Sequence, residues 1–354
     1  MLPERNDLMT RGVGIIGAGP GVSALHLPTL DRLPELFRVV HIADGGSGRA
    51  EALAERTGAR YSAGTAALLA DPEVEVVAIC SPPEQHAAQI LDAVAAGVRA
   101  ILCEKPIALT RDDADAVMDA CRRAGTALVV GTNHLFDPAW GRARHHIAAE
   151  QAPVRAVSIT VALPPNGRYH DVVTESLPGA APARRAPDWK DPGFSSAVVR
   201  QLILGLGIHD LPLLRDLAPR VDRVVFARPV APIGYCVGFI AGDVLVRLTA
   251  VMLREGAEAL WRFSVATGRD LIDIEFPPAF VHDGSARARV RHVDGRVSEY
   301  PPLPDDGYLA EWRAMASLAA GADAVEYDEM LADAHYAIDL ADAAATAVRE
   351  GMTR

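Results

Sequence analysis

Cysteine is sparse in this chain and never paired in sequence. Cys80, Cys103, Cys121 and Cys236 lie far apart and form no CxxC. That excludes a disulfide framework and a thiolate zinc knuckle. Cys80 and Cys103 end apolar runs, so reduced core thiols in a cytosolic protein are expected. Positive charge is also short. There are 35 Lys and Arg against 46 Asp and Glu, a formal net charge of −11. Nucleic acid and anionic membranes need basic side chains to replace counterions. A nucleic-acid or membrane binder is therefore excluded, although a local loop can still hold a phosphate. No apolar run is long enough to span a bilayer. The polar opening MLPERNDLMTRG has no apolar signal segment, so a cytoplasmic location is expected. There is no internal repeat, no low-complexity tail and no HExxH spacing, so no metal is expected.

What is present is length enough for two domains, 354 residues with half of them apolar. The first part alternates β-branched runs with amphipathic stretches. Strands are expected over 13–16, 38–43, 74–80, 98–103 and 127–131, and helices over 22–33, 49–57, 85–96 and 112–124. Continuous apolar strands alternating with helices predict a parallel, doubly wound Rossmann sheet covered on both faces. Its ligand edge lies at the strand C-termini. Beyond residue 150 the pattern changes to strand-like runs over 154–163, 221–230, 234–253, 259–276 and 286–300, joined by tight turns. A helix is expected within 194–217. This predicts an α+β domain with a largely antiparallel, open sheet. The expected division is 1–135 for the dinucleotide domain and 136–326 for the substrate and oligomerisation domain. A terminal helix over 327–349 would pack back on the first. The Pro-, Ala- and Arg-rich stretch from Pro178 reads as a loop, with Tyr169, His170, Asp188, Trp189 and Lys190 in that region.

Gly17-Ala18-Gly19-Pro20-Gly21-Val22 follows the first strand and opens a helix. Gly17 can make the tight turn, and Gly19 lets backbone approach a pyrophosphate at the positive helix N-terminus. The sixth position of GxGxxG is Val22, not Gly or Ala, so a late helix start or a wider helix–strand angle is expected. Asp44 ends the second strand, where a carboxylate can accept from ribose hydroxyls. It would repel a 2′-phosphate, which favours NAD. Arg49 close by keeps NADP open.

Glu104-Lys105-Pro106 follows the strand ending at Cys103. Proline sets the backbone and aims the lysine from the ligand edge. There an ammonium can stabilise a developing alkoxide. Together with Ser81-Pro82-Pro83-Glu84-Gln85-His86, this turn resembles the glucose–fructose oxidoreductase / inositol dehydrogenase / rhizopine-catabolism (Gfo/Idh/MocA) family, which has a (T/S)PxxxH loop followed by an EKP turn. The resemblance covers nearly the whole chain. It implies that Lys105 touches nicotinamide ribose and substrate hydroxyl, and that Ser81, Pro82, Pro83 and His86 line the cofactor. It implies further that Glu104 supports cofactor and turn, and that the second domain builds a homodimer or homotetramer through its open sheet face.

The segment Gly205-Leu206-Gly207-Ile208-His209-Asp210 resembles the family's D-x-G-x-H. The histidine there moves the carbinol proton, and an aspartate one helical turn earlier orients it. Here the aspartate position is Gly205, so His209 lacks that carboxylate. Asp210 is adjacent and a poor replacement. Arg200 and Gln201 stand where the family approaches this segment with glycines, and are candidate substrate contacts. So is His134, after the sixth strand. His145 and His146 read as surface residues of a helix.

The leading reading is an NAD(P)-dependent oxidoreductase acting on a secondary alcohol or ketone of a sugar, cyclitol or similar polyol. A reductase of an imine or keto-intermediate, an enzyme that oxidises, eliminates and re-reduces, and a non-catalytic dinucleotide or sugar sensor stand beside it.

Overall fold

The computed structural model describes residues 10–165 and 188–352. Tyr169 and His170 lie outside them. The described chain divides into two compact units, one of residues 10–131 with Glu311–Leu331, the other of residues 132–165, 188–310 and 332–352.

The first unit is built on six strands: β1 (Arg11–Ile16), β2 (Phe37–Asp44), β3 (Arg60–Ala63), β4 (Val76–Ile79), β5 (Ala100–Glu104) and β6 (Ala127–Gly131). Their order is β3-β2-β1-β4-β5-β6, and every pair is parallel. Every residue of β4 and the first four of β5 are buried, as a sheet covered on both faces requires. The crossovers carry α1 (Leu27–Asp31), α2 (Arg49–Thr57), α3 (Ala66–Leu69), α4 (Pro83–Ala95) and α5 (Arg111–Ala124). Their ends are written locally. The Thr110 hydroxyl accepts the Asp113 N–H at 3.2 Å, and Gly125 closes α5 at φ 66°. Asp112 and Asp113 in its first turn and Arg122 and Arg123 in its last oppose the helix dipole.

The helix expected over 22–33 forms differently. It opens as a π turn, Val22–His26, in which the Leu27 N–H reaches the Val22 carbonyl, and continues as α1. Val22 is buried at the place where the fingerprint carries Gly or Ala, and the wider first turn accommodates it. The exposed edge strand β3 was not expected, because Arg60-Tyr61-Ser62-Ala63 has no apolar run.

The second unit holds β7 (Val154–Leu163), β8 (Arg223–Pro229), β9 (Gly234–Ala241), β10 (Val244–Met252), β11 (Leu260–Thr267), β12 (Leu271–Glu275), β13 (Arg287–Arg291) and β14 (Val297–Tyr300). The order is β14-β13-β12-β11-β7-β10-β9-β8. The β7–β10 pair is parallel and the other pairs are antiparallel. Val157, Ile159, Val246, Leu248, Trp261, Phe263, Ile272 and Val290 form its buried face. Burial of each such side chain contributes about 1.5–3 kcal/mol. The other face mixes exposed Leu245 and Leu271 with ion pairs. Arg262 and Arg287 both meet Glu275, and Arg291 meets Asp273.

The helices of this unit are α6 (Asn133–Phe136), α7 (Pro138–Glu150), α8 (Pro192–Gly205) and α9 (Leu211–Leu217). α7 packs against β12 and β13, with Trp140 edge-on to Phe263 at 5.7 Å. Two further helices, α10 (Gly307–Ala319) and α11 (Tyr327–Met352), close the described chain. No single helix among the described residues is long and apolar enough to cross a membrane.

Candidate active site

In the first unit, β1 is flanked by β2 and β4, so the chain turns to opposite sides of the sheet at this point. A crevice for a ligand forms at such a switch. Gly17 adopts φ +104°, and a Cβ there would stand 2.5 Å from the Cys80 carbonyl oxygen. Only glycine lets the β1 turn lie this close to the end of β4. Beyond it the turn opens. Nothing stands within 4 Å of where a Cβ on Gly19 or Gly21 would be, and no side chain caps the helix start at Gly21. An open glycine turn leading to uncapped N–H groups fits a pyrophosphate. Ala18 is buried, and the Pro20 carbonyl accepts from the Ser23 hydroxyl at 3.1 Å.

Asp44 ends β2 as expected. Its carboxylate accepts from Gly46 N–H at 2.7 Å, from the Ser47 hydroxyl and from Ala50 N–H at 3.1 Å. Partial burial works against ionisation here, but these bonds prevail and hold its pKa below the ordinary aspartate range. It stands as a fixed negative charge at the strand end.

The Ser81 and Pro106 loops are joined through one ring. His86 is buried. Its Nδ1 lies 2.8 Å from the Pro106 carbonyl oxygen and its Nε2 2.8 Å from the Ser81 carbonyl oxygen. The histidine therefore acts through the two loops it holds. The Ser81 hydroxyl donates to Gln89, Pro82 is exposed and Pro83 opens α4.

Lys105 follows β5, partly exposed, with a cis bond to Pro106. Burial of the ammonium lowers its pKa from the ordinary lysine value, while Glu104 and Glu311 pull it back up. Glu104 is held in turn by the buried His26, whose Nε2 lies 2.9 Å from Oε1. The indole of Trp312 lies edge-on to the His26 ring. Desolvation opposes the ionised form of Glu104, yet His26 and Lys105 together keep its pKa below the ordinary glutamate value. His26 and the fully buried Glu311 were not singled out from the sequence. One lies in an apolar helix opening and the other more than 200 residues away, so only the fold brings them to the lysine.

In the second unit, His209 lies in a 3₁₀ turn, Gly207–His209, directly after α8. Its Nδ1 is 2.7 Å from Asn133 Oδ1. An amide oxygen only accepts, so Nδ1 carries the proton and Nε2 is the lone-pair nitrogen of the neutral ring. The partner of His209 Nδ1 is thus an amide from α6, not a carboxylate at position 205. Asp210 has other partners, as its adjacency to His209 implied. It accepts from His134 Nδ1 at 2.9 Å and from Trp261 Nε1 at 2.7 Å.

His134 is buried and stacked on Phe276 at 3.8 Å, with its ring centroid 5.5 Å from that of His209. Backbone approach fixes Asn133. A Cβ on Gly307 would sit 2.0 Å from the Asn133 carbonyl oxygen. Arg200 pairs with Asp342 at 2.6 Å, and Gln201 is exposed on α8. His145 is exposed as expected, but His146 turns inward, because its face of α7 packs on the sheet.

Residues 11–132 match the family described as "Oxidoreductase family, NAD-binding Rossmann fold", Gfo/Idh/MocA. D-xylose 1-dehydrogenase (NADP(+)) 2 of Haloferax volcanii is 32% identical over 312 residues, 87% of this chain and 86% of that protein. The chain belongs to the Gfo/Idh/MocA oxidoreductase family. Inositol 2-dehydrogenase 2 of Saccharopolyspora erythraea is 39% identical over 134 residues, 37% of this chain, so the Gfo/Idh/MocA match there spans 39% of the relative's length. A 3-ketoreductase of Actinomadura kijaniata, solved with NADP and TDP-benzene, shares the fold with a TM-score of 0.72 at 20% identity, over 96% of this chain and 98% of that one. The Rossmann sheet and the mixed C-terminal sheet are thus those of Gfo/Idh/MocA proteins.

Proposed function

We propose that this chain is an NAD(P)-dependent oxidoreductase of the cytoplasm that interconverts a secondary alcohol and a ketone on a sugar, cyclitol or related polyol. The observation that carries the reading is the His209–Asn133 bond, which puts the Nδ1 proton on a protein acceptor and holds in one orientation an imidazole able to exchange a proton near neutral pH. The first unit is assigned to the dinucleotide and the second to the substrate, with the boundary after Gly131 and not at the expected 135/136, so that Asn133 and His134 fall on the substrate side.

The dinucleotide supplies the hydride acceptor or donor. Gly17, Ala18, Gly19, Pro20, Gly21 and Val22 are assigned to its pyrophosphate, Asp44 to its adenosine ribose. Ser81, Pro82, Pro83, His86 and Glu104 are assigned to its nicotinamide end. The charge of Asp44 favours NAD over NADP. Lys105 is assigned to the substrate oxygen, where an ammonium stabilises alkoxide character, and His209 to the proton. His134, Arg200 and Gln201 remain assigned to substrate contact. Self-association as a homodimer or homotetramer through the open face of the second sheet is part of the same reading.

A reductase of a keto-intermediate or imine is the second reading, favoured by the amide that stands beside His209 in place of a carboxylate, since an amide stabilises imidazolium less. Turnover with NAD(H) and NADP(H) against panels of polyols and keto-sugars, with Lys105→Ala beside the wild type, tests the proposal. A chain that binds the dinucleotide but exchanges no label from deuterated NADH is a sensor, not this enzyme.

A further inference from the structure

His146 lies on α7, Asp270 in the tight turn between β11 and β12, and His292 just after β13. Three separate elements thus deliver one side chain each to one spot in the second unit. His146 Nε2 is 2.8 Å from Asp270 Oδ2, and His292 Nδ1 is 3.4 Å from the same oxygen. All three donor atoms lie within 4.8 Å of one another.

The outward-facing atoms of the group are anchored too. His292 Nε2 is 2.9 Å from the Ser298 hydroxyl, and Asp270 Oδ1 accepts the Val293 N–H at 3.2 Å. Such outer bonds fix the ring and carboxylate orientations that a metal needs. The side chains are 17%, 3% and 12% exposed in chain order, enclosed yet within reach of solvent.

We propose that His146, Asp270 and His292 bind a divalent transition-metal ion, Zn2+ foremost, with water completing the shell. Ligands at about 2.0–2.2 Å from a tetrahedral ion stand roughly 3.3 Å apart, so the group needs only a small spread to admit one. Two imidazoles and a carboxylate suit Zn2+ over Mg2+ or Ca2+, which prefer all-oxygen shells. The ion would tie α7 to two sheet turns. None of these residues is assigned to the dinucleotide or the substrate, so this inference and the proposed oxidoreductase activity fail independently.

The test is calorimetric titration of the EDTA-treated, untagged full chain with Zn2+ and with Mg2+, together with the Co2+ absorption spectrum. A single Zn2+ per chain, tetrahedral Co2+ bands and a thermal midpoint raised by Zn2+ are expected, with no Mg2+ binding. His146→Gln and His292→Gln should each lose at least tenfold in Zn2+ affinity. Ser298→Ala, which leaves all three ligands in place, should lose roughly tenfold. Absence of Zn2+ binding to the wild-type chain overturns the proposal. So does binding that both His292→Gln and Ser298→Ala leave unchanged. Should the histidine variants misfold, the wild-type Co2+ bands and the Ser298→Ala affinity decide alone.

Discussion

The imidazole of His209 gives its Nδ1 proton to Asn133 Oδ1 across 2.7 Å, between residues 76 positions apart. Asn133→Ala should therefore lower kcat roughly tenfold, the worth of one lost orienting hydrogen bond, with KM for the dinucleotide unchanged. His209→Ala should lose about 100- to 10,000-fold. Asn133→Asp supplies the carboxylate that Gly205 does not. It should move the histidine limb of the pH–rate profile to higher pH, because a nearby negative charge favours imidazolium. An unmoved limb would show that His209 does not carry the proton.

Lys105 titrates below the ordinary lysine value because burial outweighs its two carboxylates. Oxidation of an alcohol needs the ammonium, so kcat/KM should fall as pH rises through that lowered pKa. Glu311→Gln removes one of the two groups that hold the pKa up, and should shift this alkaline limb to still lower pH. Lys105→Ala should lose about 100- to 1,000-fold. Lys105→Arg should abolish the alkaline limb while lowering the rate, since guanidinium keeps its proton. Rate profiles between neutral and alkaline pH check all three.

Gly17→Ala forces a Cβ against the Cys80 carbonyl at a φ that L-residues rarely adopt. About 1–3 kcal/mol of stability should be lost, read as a lower thermal midpoint. Dinucleotide affinity should fall with it. Gly19→Ala meets open space and should keep the fold while weakening the dinucleotide, which separates binding from stability.

Asp44 carries its charge at the end of β2. Asp44→Ser should lower kcat/KM for NAD roughly tenfold, in line with loss of a charged hydrogen bond. It should also raise the NADP-to-NAD ratio. Paired steady-state kinetics with both dinucleotides measure this. Because Asp44 is ionised well above its lowered pKa, the preference should hold across neutral pH.

Most of the first unit was legible because buried parallel strands leave continuous apolar runs and their connections leave glycine stops, as at Gly125. The edge strand Arg60–Ala63 left neither, since an exposed strand needs no apolar residues. The helix opening at Val22 was legible as a departure, though its π winding was not. α10 was missed because the Pro-rich approach from Pro301 to Pro304 masks its start. In the candidate site, Lys105, His209 and Asp44 could be named from local motifs. Asn133, Glu311 and His26 could not, because a side chain's partner is fixed by packing between segments remote in sequence. The inward turn of His146 was hidden likewise, since a helix of mixed composition does not announce which face meets the sheet.

The strand β7 sits at the centre of the second sheet, with β10 on one side and β11 on the other. Its partner Val246 lies about 90 residues after Val157. On the ribosome, at about 5–20 residues per second, β7 would wait several seconds or more before either neighbour exists. Through that interval its alternating valines and isoleucine are an unpaired, aggregation-prone template. The yield of this protein on synthesis should therefore depend on the pace of translation and on chaperone capacity more than on the stability of the finished fold.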